Sequence, residues 1–162
     1  MRITSRREPA MFVRDRALPA TGGTARSLPD QRELVAAFGS RGGDPNAEHP
    51  LIGWARKLAI LHRQRRGNPL AAAGIDCRRA ELVAAIDTWV ATQLPRRSCT
   101  EHLRTGSLGA TVDRMAAAHA HASYLLHTAE KVSDVRVHAA WYRLASLADE
   151  WTDLIVGAVR KA

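Results

Sequence analysis

Residues Thr105–Glu130 read TGSLGATVDRMAAAHAHASYLLHTAE, and the spacing of their apolar side chains decides the fold. Leu108, Val112, Met115, His119, Ala122 and Leu126 recur at alternating steps of four and three, which puts all of them on one stripe of an α-helix. Most of the remaining positions are Ala, so neighbouring backbones can approach this helix closely. The segment is a packing helix first. It also carries an adjacent acid and base, Asp113 and Arg114, and the histidines His119, His121 and His127. Those residues invite a catalytic reading that the rest of the chain does not complete.

Working toward the C-terminus, Ser133 is placed to cap a last helix. There Val137, Ala140, Trp141, Leu144, Leu147, Ala148, Trp151, Leu154, Ile155 and Ala158 repeat almost as a heptad. Upstream, Asp76 reads as the N-cap of CRRAELVAAIDTWVATQL, where Leu82, Val83, Ile86, Trp89, Val90 and Gln93 keep the helical period until Pro95 stops it. Leu51, Trp54, Leu58 and Leu61 form a further stripe from Pro50 to Arg65. The earliest helix is LPDQRELVAAF, with Pro29 in its first turn, Asp30 and Glu33 at its positive end, an apolar edge of Leu34, Val35 and Phe38, and Gly39 as its stop.

Loops rich in Gly, Pro and polar residues separate these segments, and no alternating run bounded by hairpin turns appears. The expectation is an all-α protein: an antiparallel bundle of four longer helices, with the short helix Leu28–Phe38 laid across one end. Burying one such stripe contributes on the order of 10 kcal/mol before entropy is subtracted, so packing alone accounts for these residues. Trp54, Trp89, Trp141 and Trp151 lie on or beside the stripes, as core filling or as part of a dimer seam.

At 162 residues and 46% hydrophobic content, the chain fits one globular domain over 27–162. Residues 1–26, rich in Arg with Pro and a Gly-Gly pair, have the composition of a basic arm that need not pack. Cys77 and Cys99 lie in different settings, one in an expected first helical turn and one in a loop. With no signal-peptide pattern ahead of them, they read as reduced thiols of a cytoplasmic protein. Apolar runs fall far short of the ~20 residues a membrane span needs. The net charge of +8 comes mostly from Arg, whose planar fork suits phosphate or carboxylate, although Arg and Ala together also follow from a GC-rich genome.

Three segments carry a resemblance. HPLIGWARKLAILHRQR, IDCRRAELVAAIDTWV and SLGATVDRMA resemble, in order and with fitting gaps, the blocks of a bacterial all-helical domain-of-unknown-function family, over about residues 28–160. The resemblance implies an all-helical fold and no chemistry. Similar sequences read HTETLG ahead of the Asp-Arg helix, whereas this chain has Arg104-Thr105-Gly106-Ser107-Leu108-Gly109. Gly106 therefore stands where the family has Glu.

The candidate constellations are few. No His has Glu three residues before it and HExxH is absent, which removes the helix-borne metal patterns. His119 and His127 stand eight residues apart, about 12 Å along a helix, too far to share a metal directly. His119 reads as a satisfied core or boundary histidine, with a bridge to His62 left open, and His121 as a solvated one. Asp149, Glu150 and Asp153 fall within little more than one turn and could gather Mg²⁺, although Asp149 and Asp153 point away from the Trp151 side.

Arg56, Lys57, Arg63, Arg65 and Arg66 form a run without an acid, continued by Arg78 and Arg79, as expected of a surface for phosphate or nucleic acid. Part of that run merely complements a helix C-terminus. Asp113 sits at a stripe boundary where a carboxylate pairs with an Arg of another helix, Arg79 or Arg143, and Arg114 joins it as a ligand-site candidate. Thr105 and Ser107 read as helix caps, and Gly109 as a point of close backbone approach.

No catalytic residue and no cofactor are assigned. The leading expectation is a noncatalytic module acting through self-association, as a homodimer, or through a protein partner. The alternatives are a phosphate-ligand or nucleic-acid binder using Arg56, Arg63, Arg65, Arg66, Arg78 and Arg79, and a Mg²⁺-dependent nucleotide hydrolase centred on Asp113, Asp149, Glu150 and Asp153. No membrane partner is expected.

Overall fold

The computed structural model describes residues 27–43, 48–93, 107–131 and 133–160, with the side chains of 158–160 left aside. The basic arm, Pro95, Cys99 and Thr105 lie outside the described residues, as does the side chain of Ala158. The described residues form five α-helices and no strand: α1 (Gln31–Gly39), α2 (Pro50–Gly67), α3 (Ala72–Gln93), α4 (Leu108–Thr128) and α5 (Val135–Arg160). The chain is all-α, as its periodicity requires. No helix among the described residues is long and apolar enough to cross a membrane.

Local chemistry sets the helix ends. Asp30 and Glu33 close a reciprocal capping box on α1, each side chain accepting the other's backbone N–H at 2.8 Å. Pro29 therefore precedes the cap instead of occupying the first turn. The His49 ring caps α2, with Nδ1 accepting from Leu51 N at 3.2 Å and Pro50 at the first helical position.

Asp76 is not a cap. A short 3-10 turn, Pro69–Ala71, runs directly into α3, so helix begins at Ala72 instead of Cys77, and Cys77 lies beyond the first turn. The Pro-containing turn supplies the chain reversal, which frees the Asp76 carboxylate for arginines. Ser107 caps α4 by accepting from Ala110 N at 2.9 Å. At α5 the acceptor is Asp134, not Ser133: its carboxylate takes the Arg136 backbone N–H at 2.8 Å.

Helix directions follow from the pairs that touch. In α2 and α3, Arg65 meets Asp76 beside the turn while the His49 and Trp89 rings meet at the far end, so these helices are antiparallel. Contacts of Arg114 with Glu150 and of His119 with Trp141 make α4 and α5 antiparallel as well. By contrast α2 runs parallel to α4, with His62 beside Asp113 and Arg66 beside Tyr124.

The hub is α4, which packs against every other helix, while α2 and α5 share at most a marginal contact. α1 packs against α2, α4 and α5, so it lies between α2 and α5 instead of simply crossing an end. Leu34 and Phe38 from α1, Leu51 and Leu58 from α2, Val112 and Met115 from α4 and Trp151 from α5 are all fully buried in one core. Trp151 also donates its indole N–H to the Pro29 carbonyl at 3.0 Å, tying α5 to the entry of α1. It belongs to the interior of the single chain and is unavailable to a dimer seam. Of the opening stripe only Leu126 departs, at 38% exposed near the end of α4.

Gly109 shows why small residues line α4. A Cβ there would come within 2.5 Å of the Val83 carbonyl, and its N–H donates to Asp87 Oδ1 at 2.8 Å. The start of α4 is thus pressed against α3, as expected of a close backbone approach.

Candidate functional site

The charged residues singled out in sequence fall into two settings around α4. The first joins three helices. From α4, Asp113 meets His62 Nε2 of α2 at 2.8 Å, and Arg79 of α3 grips the same carboxylate through Nε at 3.2 Å and Nη2 at 2.5 Å. Arg79 Nη1 also reaches Asp76 at 2.8 Å, and Asp76 in turn takes Arg65 at 2.8 and 3.1 Å.

Asp113 and His62 are largely covered, with side chains 15% and 11% exposed. Burial pushes the Asp113 carboxyl up, but hydrogen bonds from His62 and Arg79 outweigh it and hold the group below the ordinary carboxylate range. The arrangement contains an acid, an imidazole and a guanidinium, and their groups are spent on one another: His62 and Arg79 both bind the Asp113 carboxylate. Chemically it is a lock on helix register. Of the partners weighed for Asp113, Arg79 is the one the structure supplies.

The second setting lies between α2 and α4 toward their shared C-terminal end, an open cleft of about 280 Å³ lined by Arg63, Arg66, Ala120, Ser123, Tyr124 and His127. Arg63 Nη1 donates to the Phe38 carbonyl at 3.0 Å. The Arg66 guanidinium stacks 4.2 Å above the Tyr124 ring and donates to His121 Nδ1 at 3.2 Å. His127 donates from Nδ1 to the Ser123 carbonyl at 2.6 Å. Every acceptor that holds these cations is neutral.

The remaining candidates are dispersed. Arg56 is clamped by Glu48 and donates to Ser40 Oγ at 2.8 Å, beside the end of α1. Lys57 and Arg78 border a separate groove between α2 and α3. Arg114 reaches Glu150 Oε1 at 2.6 Å and Thr111 at 3.1 Å, on the α5 side. The basic run Arg56–Arg79 expected to face one phosphate surface is therefore split, with Arg63 and Arg66 in one cleft and Lys57 and Arg78 on another.

Asp149 and Asp153 are exposed, and among the described residues no group of three or more His, Cys, Asp or Glu side chains is arranged to hold a metal. Asp113, Asp149, Glu150 and Asp153 do not converge, because α4 turns Asp113 toward α2 and α3 while Glu150 is engaged by Arg114.

His119 is buried between Phe38 and Trp141, ring centroids 5.7 and 6.1 Å away, and its Nδ1 finds no hydrogen-bond partner among the described residues. It is a core histidine, but not a satisfied one, and it does not join His62. Burial, and then the nearby Arg63 charge, push its imidazole below the usual histidine range.

Sequence reasoning missed Asp87, which receives Gly109 N–H, and the pairing of Tyr124 with Arg66. Both depend on facing positions in different helices, which single-helix periodicity does not encode. Compared with known proteins, the chain matches no family model, no curated protein and no solved structure.

Proposed function

We propose that this protein is a noncatalytic helical module that acts by association with a second copy of itself through the outward face of α5. The observation that carries this reading is the self-complementary make-up of that face. Val135, Ala139, Tyr142, Ala145, Ser146, Asp149, Asp153 and Val156 are all exposed along it, with Tyr142 at 76% and Val135 at 79%. Its N-terminal half carries Arg143, with Arg136 already paired to Asp134, and its C-terminal half carries Asp149 and Asp153, with Glu150 already paired to Arg114.

Two copies of α5 laid antiparallel set each basic half against an acidic half, and a twofold arrangement repeats the match at both ends. The small residues Ala145 and Ser146 fall near the middle, where the helices would approach most closely. Val135, Tyr142 and Val156 stand at multiples of seven along α5 and so share one stripe, an exposed apolar line bordered by opposite charges at its two ends. The resemblance to a bacterial helical family is compatible with this role and adds no chemistry to it.

The test is charge inversion in trans, read by light scattering at low and high salt. The unaltered chain is expected to dimerise at micromolar concentration. A chain carrying Arg136→Glu and Arg143→Glu, and a second carrying Asp149→Lys and Asp153→Lys, are each expected to stay monomeric and to pair only when mixed. A monomeric unaltered chain, or variants that dimerise alone as well as before, would overturn the reading.

A further inference from the structure

The run of cations at the end of α2 is not electrically uniform. Arg56, Arg65, Arg79, Arg114 and Arg136 are each anchored by a carboxylate, from Glu48, Asp76, Asp113, Glu150 and Asp134 respectively. Arg63 and Arg66 are held instead by a backbone carbonyl, an aromatic face and an imidazole. A guanidinium held by a carboxylate is neutralised in place. One held by neutral groups keeps its full charge while losing conformational freedom, and this is the state that favours capture of an external anion.

The opposing term is the helix dipole. Because α2 and α4 are parallel, both present their negative ends here, at Gly67 and Thr128. Each end is equivalent to roughly half an elementary charge, so the pair offsets about one of the two guanidinium charges and leaves a net positive cleft.

From this we infer that the α2–α4 cleft is a binding site for a phosphate group, with Arg63 and Arg66 as the charged donors and His127 beside them. The planar Arg fork matches two oxygens of a phosphate, and the Tyr124 ring, 4.2 Å from the Arg66 guanidinium carbon, restricts where that fork can lie. About 280 Å³ accommodates inorganic phosphate or the phosphate end of a small phosphomonoester. The site stands apart from the outward face of α5, so it holds or fails independently of self-association.

The experiment is an NMR titration of the full chain with inorganic phosphate and, separately, phenyl phosphate, with chloride at equal ionic strength as the reference. Saturable shifts of the Arg66 side-chain Nε–H and the His127 ring, in advance of those at Arg65, are expected. Arg63→Gln and Arg66→Gln should each weaken binding at least tenfold, whereas Arg65→Gln should leave it within twofold. Circular dichroism establishes that each variant keeps its helices. A stronger response to phenyl phosphate than to phosphate would assign a phosphomonoester, and equal responses the free anion. Non-saturating shifts, or equal losses from Arg65→Gln and Arg66→Gln, would reduce the effect to general surface charge and overturn the site.

Discussion

Arg65 and Arg66 are chain neighbours on α2 and live in opposite electrical worlds. Arg65 turns toward α3 and is held by Asp76, within a network that continues through Arg79 to Asp113 and His62. Arg66 turns toward α4 and is held by Tyr124 and His121. One step along a helix rotates a side chain by about 100°, enough to change its neighbouring helix altogether. The same residue type therefore serves as structural cement on one side and as an unneutralised cation on the other. A cluster of arginines in sequence specifies a charge total; the packing of the helices decides which of those charges remain available.

The largest effect that would break this comparison comes from the cement. Replacing Asp113 with Ala strands Arg79 and His62 against a covered surface, and losing one partner of such a pair costs about 3 kcal/mol. Urea denaturation should show this as a lower midpoint with an unchanged slope. A loss under about 0.5 kcal/mol, the scale of ordinary surface substitutions, would mean that the network does not hold the helices together.

A smaller effect follows from protons. Asp113 is held below the ordinary carboxylate range in the folded chain, so the folded form binds its proton less readily than the unfolded one. Its contribution is complete above the unfolded carboxylate value of about 4 and is lost as pH falls through the lower folded value. Thermal unfolding below pH 4 should therefore be less steeply pH-dependent in Asp113→Asn than in the unaltered chain. Parallel acid profiles would remove the electrostatic account.

The smallest stability effect is expected on the other side of α2. Arg66→Gln should change stability by no more than about 0.5 kcal/mol, because an exposed side chain without a carboxylate partner contributes little to the folded state. A larger loss in the same urea experiment would make Arg66 structural and erase the contrast with Arg65.

Much of the fold was legible. The stripe Leu108–Val112–Met115 is buried as its period required, and Asp30 and Glu33 stand at the positive end of α1, as their charge suggested. Where reading failed, nonlocal packing or turn chemistry had intervened. Asp76 resembled a cap because it stands just ahead of an apolar period. The Pro69–Ala71 turn had already started the helix, and Asp76 was free to bind arginines from two helices. Trp151, by contrast, fills the core as its place on the stripe suggested, with α1 supplying both its cover and the Pro29 carbonyl for its N–H. For the candidate sites, Asp113 could be recognised as an ion-pair residue from its place at a stripe boundary. Nothing local could show that Arg63 and Arg66 part company from Arg65.

By itself the sequence determined an all-helical chain, the faces its helices bury, most of their ends and the excess of positive charge, because periodicity and capping act within a few residues of one another. Only the tertiary structure decided that α4 is the hub and that α1 fills the space between α2 and α5. It also decided which arginines meet carboxylates and which meet a ring or a carbonyl, since those pairings depend on how helices are rotated about their own axes. That rotation is set by packing among residues far apart in the chain.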